Sequence, residues 1–429
     1  MDGRRLRLHL FGLAVLAVAF LVPPVKAAGS VPMIDDAALN PLTTTVGGAS
    51  PLPTSRTVQH WFGQTTNQHN GVTYGYNMVA ADPNNCSGNA CSVTIETDIT
   101  PLVVNVEGLT FNGNDILGAT LASPQFALSD YGSTPAATAP GAFPNEPSRI
   151  RGKGGTLSQG DAKNQLQLED ATMRAQFNQT GSSGYHLRLH ANVLPARTIN
   201  VPNNQGFLRQ SERGVVFAVV NVGWWFSQIN NLVTTGDATH LPTYLANDVV
   251  GIFSSGSCCL VGYHGANRNS NSNGNAVVQT FIEASWLPPG VFALPNGGSD
   301  WAAQDIHVLS HEVAEWADDP FVNNAVEPWL TPTAPQYGCT GLLETGDPVV
   351  AIGFAMGNNT FEQGPNPDGT QSADGYYHPE DEAFLPWFMR TAPNTVSEPT
   401  QKTSANIGRY TLMGDLNSFP GFRQPATGC

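Results

Sequence analysis

Alternating and continuous apolar runs along the chain predict β-strands. Residues 92–98 (Ser-Val-Thr-Ile-Glu-Thr-Asp) alternate apolar and polar side chains, which is typical of a half-buried strand, and residues 101–106 continue it as a buried one. Residues 185–193 alternate in the same way. Residues 258–264 and 276–286 read as a pair of strands joined by an Asn/Ser/Gly loop.

A helical period replaces the alternation in two places. Residues 161–178 carry an imperfect apolar stripe, and Glu169, Asp170 and Arg174 are expected on its solvated face. A second helix is expected from Ser299 or Asp300, either of which can cap it, to about residue 318, where Asp319-Pro320 ends it. Its apolar stripe (Ile306, Leu309, Val313, Trp316) should face the core.

These patterns divide the chain into five parts. Residues 1–27 are predicted to be a signal peptide and 28–70 a mobile leader rich in Pro, Thr and Ser. Residues 71–131 form a β-rich N-terminal region, 132–160 a Pro/Ala/Gly-rich linker or long loop, and 161–429 an α+β domain.

The first residues predict the compartment. Arg4, Arg5 and Arg7 precede an almost wholly apolar run over residues 8–22, and Val-Lys-Ala at 25–27 offers small residues for cleavage. A membrane anchor is the alternative, but the run is shorter than the ~20 residues that span a bilayer. The protein is therefore expected to be secreted, extracellular or periplasmic, with no membrane partner after cleavage.

Composition narrows the class of partner. Only 12% of the 429 residues are charged, yet the net charge is -15, which disfavours nucleic acid and anionic membranes as partners. In an exported chain the six cysteines should form disulfides. Cys86 and Cys91 are expected to close a small loop, and no Cys-x-x-Cys motif supports a cysteine metal site. The expected partners of the adjacent cysteines 258 and 259 are those at 339 and 429, in an order that the sequence leaves open.

The second helix carries the candidate chemistry. His307, His311 and Glu315 follow one another at intervals of four residues, so neighbours in this series lie side by side. The whole series rises about 12 Å, too far for one ion, so the pair that binds metal is either His307 with His311 or His311 with Glu315. The second choice leaves Glu312 in the general-base position of the H-E-x-x-H pattern, and we prefer it.

A third ligand must come from elsewhere in the fold. Glu344, in Glu344-Thr-Gly-Asp347, is the first choice, and His378 is the second. Asp347 or His378 would complete a closed four-ligand sphere, whereas three protein ligands leave the open position that catalysis needs. We therefore expect one zinc ion held by His311, Glu315 and Glu344; calcium is the alternative that the many carboxylates suggest, but a central histidine argues against it.

Residues 310–323, with Thr-Ala-Pro at 333–335 and Glu344-Thr-Gly-Asp347, resemble the core of the EXORDIUM-like, phosphate-induced secreted proteins, and residues 258–265 resemble the strand that precedes it. The resemblance implies a zincin-like fold for the α+β domain, with His311, Glu315 and Glu344 near the metal. The preceding strand would line the cleft, so His264 could contact substrate, although a buried structural histidine is the commoner case. The chain departs from the pattern at His307, which has no counterpart, and at Pro348, where the family has a cysteine.

Together these features favour a secreted zinc-dependent hydrolase. We expect a peptidase that acts on extracellular peptide or cell-wall material, with Glu312 as general base to metal-activated water. The alternative is a non-enzymatic exported protein that binds cell-wall glycan or another protein and keeps a structural or vestigial metal.

Overall fold

A computed structural model describes residues 14–15, 49, 56–86, 91–130, 165–177, 179, 184–211, 214–233, 237–254, 256, 258–270, 276–288, 291, 304–330, 339–350, 353, 359, 376–391 and 410–411. Within these ranges the chain is a mixed α+β protein built on one large sheet. The strands are β1 (Ala14–Val15), β2 (His60–Thr66), β3 (Thr73–Val79), β4 (Ser92–Val106), β5 (Leu109–Asn112), β6 (Ser129–Asp130), β7 (Gln165–Leu166), β8 (His186–Val193), β9 (Arg197–Asn200), β10 (Gly206–Gln210), β11 (Val216–Asn221), β12 (Leu241–Asn247), β13 (Val249–Ile252), β14 (Cys258–Ser270), β15 (Ala276–Trp286), β16 (Ala325–Leu330) and β17 (Cys339–Leu342). The α-helices are α1 (Asn114–Ala122), α2 (Leu168–Gln176), α3 (Val222–Val233), α4 (His307–Asp318) and α5 (Leu385–Phe388), and 3-10 turns cover Pro83–Asn85 and Asp347–Val349.

The large sheet mixes parallel and antiparallel pairs. Its order is β10-β11-β13-β14-β15-β12-β4-β5, and β8 and β9 also pair with the long strand β4, while β1 pairs with β14. The sequence predicts that β14 and β15 pair; in the structure the pair is antiparallel, and β14 extends to Ser270 into the expected loop. Among the helices of the described ranges, none has the length and hydropathy needed to cross a bilayer.

Helices α3 and α4 pack on the β14–β15 pair from opposite faces. Alternation along β14 sends Gly262 and His264 toward α4 and Tyr263 toward α3, where its ring meets Phe226. On the α4 side, Val308, Leu309, Val313 and Trp316 join one apolar core with Ile282 of β15. The apolar stripe of α4 therefore faces the core, as predicted, and the sheet carries His264 directly beneath the helix.

The structure differs from the expected division of the chain. Residues predicted as a mobile leader include β2, which pairs with β3 and buries Trp61. Strand β4 of the expected N-terminal region lies inside the large sheet between β12 and β5, because its buried face needs cover that an isolated region cannot supply. The expected linker, 132–160, and the predicted signal peptide, apart from β1, lie outside the described residues.

The helix boundaries also differ from those predicted. Helix α4 ends at Asp318 as expected, where Asp319 accepts backbone N–H groups from Asn323 and Asn324, but it begins at His307 rather than near residue 300. Asp305 has a left-handed backbone, φ 46°, and so precedes the helix. Helix α2 covers only Leu168–Gln176, and its predicted solvated face is wrong because all nine of its residues are buried.

Disulfides support the prediction of an oxidising compartment. Cys86 and Cys91 are bonded to each other, as predicted. Cys259 and Cys339 are also in disulfides, and the described residues include no free cysteine. The partners of those two cysteines lie outside the described side chains.

Candidate metal centre

Helix α4 is enclosed on all sides, so its polar stripe does not look into bulk water. All twelve of its residues are buried, including His307, His311 and Glu315. The sheet covers one face, while the turn at Asp347–Val349 and the segment around Glu380 approach the other. Buried ionisable groups of this kind are costly unless they pair or hold a metal.

His311, Glu315 and Asp347 bring three ligand atoms together. The Nε2 atom of His311 lies 3.2 Å from Oε1 of Glu315 and 3.9 Å from Oδ1 of Asp347, and the three donors lie within 4.8 Å of one another. The backbone N–H of Asp347 donates to the same Glu315 oxygen at 3.2 Å, which ties the turn to the helix. Tetrahedral zinc ligands at about 2.0–2.1 Å from the ion are about 3.3 Å apart, so the spacing of this donor set fits one ion.

Gly346 is what allows the Asp347 turn to approach His311. A Cβ atom at Gly346 would lie 2.3 Å from Nδ1 of His311 and 2.7 Å from its Cγ. The backbone of Gly346 is ordinary right-handed helix, φ −77° and ψ −40°, so space and not conformation requires glycine here. The backbone of the turn therefore packs flat against the imidazole that faces the centre.

The sequence reasoning missed Glu380, which orients the histidine. Oε2 of Glu380 lies 3.1 Å from Nδ1 of His311 and 2.7 Å from Nε2 of His307. Burial opposes ionisation of Glu380, but the imidazoles of His311 and His307 outweigh it and lower the pKa of this carboxyl. A carboxylate on Nδ1 favours the tautomer whose Nε2 is free to bind metal. The acidic run 380–382 that follows His378 shows that carboxylates are present there, but nothing in it indicates which residue they contact.

Ser310 holds the backbone of Glu380 in position. The Ser310 hydroxyl donates to the carbonyl oxygen of His307 at 2.8 Å and accepts the backbone N–H of Glu380 at 2.9 Å. Burial alone would lower the pKa of His311, but Glu315 and Glu380 raise it well above its usual value, so a metal that binds at Nε2 would displace a proton from that nitrogen. The helix, the turn and the Glu380 segment thus converge on one imidazole.

A second group of possible ligand atoms lies on the sheet side of Glu315. Nδ1 of His264 lies 3.5 Å from Oε2 of Glu312 and 3.6 Å from Oε2 of Glu315, and these donors also lie within 4.8 Å of one another. Burial lowers the pKa of His264 to about 4, although Glu315 opposes the shift, so its imidazole is neutral. Gly262 provides the room, because a Cβ there would lie 2.9 Å from Oε1 of Glu312.

The remaining predicted residues fall outside the His311 group. Glu344 lies on the far side of His264, with Oε2 3.9 Å from Nε2 of that histidine. His307 pairs with Glu380 and not with the Glu315 side of His311. His378 is held by Asp305, which contacts its Nδ1 at 2.7 Å and accepts its backbone N–H. Asp347, an alternative at the sequence level, is the acid that joins His311 and Glu315.

No protein-family model matches this chain, and neither a curated protein nor a solved structure is similar to it. The geometry of the site is therefore the basis for assigning a function.

Proposed function

We propose that this protein is a secreted, zinc-dependent hydrolase, most simply a peptidase, with His311, Glu315 and Asp347 holding the ion. The observation that carries the proposal is the convergence of one imidazole and two carboxylates within 4.8 Å in a buried site. On this proposal the part of the chain around α4 is a zincin-like domain related to the EXORDIUM-like proteins. Asp347 takes the place expected of Glu344, which lies beside His264.

The donor set suits zinc better than calcium. A calcium site takes six to eight oxygen ligands, whereas the centre has an imidazole nitrogen facing two carboxylates. Three protein ligands leave one position of a tetrahedral ion open. When bound there, zinc supplies a Lewis acid that lowers the pKa of water into the neutral range.

Glu312 is the proton acceptor in this proposal. It follows His311 in the chain, and neither of its carboxylate oxygens accepts a hydrogen bond from the described residues. Burial raises its pKa well above the usual value for a glutamate, with His311 opposing the shift. A carboxylate with a raised pKa is a stronger base, so Glu312 can take a proton from water and return it to a leaving amine. Glu380 meanwhile holds His311 in the required tautomer.

Substrate reaches the centre from the side of Asp347. Its side chain is 19% exposed, whereas those of His311 and Glu315 are at most 1% exposed. The acidic, disulfide-bonded chain with its N-terminal basic and apolar run fits work on peptide or cell-wall material outside the cell.

The test is zinc content and peptide hydrolysis of the purified exported protein. We expect tightly bound zinc in the wild type, retained tight zinc with roughly 100-fold or slower hydrolysis in Glu312→Gln, and loss of both the tightly bound zinc and the hydrolysis in Asp347→Asn. Glu96→Gln, at an exposed glutamate on β4, is the matched control and should change neither. Wild-type hydrolysis that persists unchanged in Glu312→Gln would remove that residue from the mechanism.

The near-complete burial of the His311 centre favours a second candidate function, a structural metal site. A zinc ion enclosed by four protein groups stabilises a fold without catalysis, and the exported protein would then act by binding glycan or another protein. In that case chelation lowers the melting temperature of the wild type, and no peptide of a mixed library is cleaved with zinc present. Hydrolysis by the zinc-loaded wild type would exclude it.

A further inference from the structure

The two oxygens of Glu315 face different histidines. Oε1 lies 3.2 Å from Nε2 of His311, and Oε2 lies 3.6 Å from Nδ1 of His264. A carboxylate used in this way can bridge two cations, which in two-metal sites lie about 3.5–4 Å apart. The sheet side of Glu315 therefore has the form of a second ligand position.

Glu312 makes that position a site rather than a chance acidic cluster. Its carboxylate is 0% exposed, and within the part of the chain that the structure describes neither oxygen accepts a hydrogen bond. It lies between Gly262, whose missing side chain leaves room for it, and His264, whose Nδ1 is 3.5 Å away. A buried carboxylate that accepts no hydrogen bond is costly, and a cation is a partner that can satisfy it.

We propose that His264, Glu312 and Glu315 form a second, weaker site for a divalent cation of the zinc class, and that its occupancy inhibits the hydrolase. The binding site is independent of the function proposed above, whereas the inhibition depends on it. The donor set is one imidazole nitrogen and two carboxylate oxygens, with spacings of 3.5 and 3.6 Å from Nδ1 that fit tetrahedral ligands about 3.3 Å apart.

Both the weakness and the inhibition follow from shared groups. The second ion would share Glu315 with the first, so two cations would repel each other across one carboxylate. It would also bind an oxygen of Glu312 and draw electron density from that carboxylate, which makes Glu312 a weaker proton acceptor. A low zinc concentration therefore fills only the His311 site and leaves Glu312 free to act as the base. An excess of zinc also fills the second site and blocks Glu312.

The test titrates the metal-free, full-length exported protein with zinc alone and follows heat and bound metal. We expect two ions per wild-type chain, the second bound at least tenfold more weakly. His264→Gln should bind one ion and lose the weak phase, and Asp347→Asn should lose the tight phase. His240→Gln, at a partly exposed histidine paired with Asp98, is the matched control and should bind two.

Activity separates the two proposals. Excess zinc should inhibit wild-type hydrolysis at the concentration that fills the weak site, and should not inhibit whatever hydrolysis His264→Gln retains. A single ion in the wild type, or two in a folded His264→Gln, would overturn the second site. If His264→Gln does not fold, Glu312→Gln decides, since it should weaken only the second phase. Two ions without any hydrolysis would leave the site intact and refute the hydrolase.

Discussion

Substituting Gly346 by alanine tests the centre at its tightest contact. The new Cβ would lie 2.3 Å from Nδ1 of His311, while ordinary contact begins at 3.4 Å, so the ring must withdraw by about 1 Å. Metal–ligand bonds tolerate only about 0.2 Å, so the displaced Nε2 could no longer share an ion with Glu315 and Asp347. We expect zinc affinity to fall on the order of 100-fold, at the upper end of what a residue behind a ligand costs.

A competition assay against a chromophoric zinc chelator measures this affinity, and thermal unfolding of the metal-free protein measures the steric cost. Overpacking should cost the metal-free fold about 1–3 kcal/mol. Gly341→Ala is the matched control, because its Cβ would meet nothing closer than the carbonyl oxygen of Val326 at 3.6 Å. Gly346→Ala with wild-type zinc affinity would refute the idea that His311 binds metal in the position described.

Two further predictions concern the sheet beneath the helix. Burial raises the pKa of Glu283 to about 8, although a hydrogen bond from Trp225 opposes the shift, so the contribution of this side chain to stability is complete below pH 4.5 and is lost as the pH rises to 8. The wild type should therefore lose up to about 5 kcal/mol of unfolding free energy in urea over this pH window, and Glu283→Gln should not. A variant that loses as much stability as the wild type between pH 4.5 and pH 8 would contradict this prediction. Trp316→Phe removes the indole N–H that donates to Thr280 at 3.0 Å. It should lower the unfolding free energy by about 1–3 kcal/mol in the same assay and leave the number of bound zinc ions unchanged. Loss of a zinc ion in this variant would mean that Trp316 supports the site directly.

The sequence predicts the elements of the site better than their surroundings. The four-residue spacing of His311 and Glu315 fixes them on one edge of α4 wherever the helix packs, and the strand patterns predict the β14–β15 pair on which it lies. These are local consequences of backbone geometry, and they survive in the structure. The start of α4 is missed because Asp300 offers a cap, whereas the backbone turns at Asp305.

The part of the chain that covers the polar face of a helix can be far away in sequence, so local patterns do not predict it. Glu380 reaches His311 across 69 residues of sequence, and no period in residues 376–382 indicates that contact. Glu169 and Asp170 read as solvated because charged side chains at helical spacing usually are, yet both are buried, and Asp170 holds His186 at 2.7 Å. Long-range packing decides such cases, and a single sequence does not record it.

The centre is assembled from parts of the chain that are far apart in sequence. His264 comes from β14, His311 and Glu315 from α4, Asp347 from a turn, and Glu380 from a segment beyond residue 375. An unfolded chain keeps these groups apart, so the centre can take up an ion only once these parts of the chain have folded together. Binding of an ion at this centre would thereby be linked to folding, and the ion would stabilise the folded chain over the unfolded one.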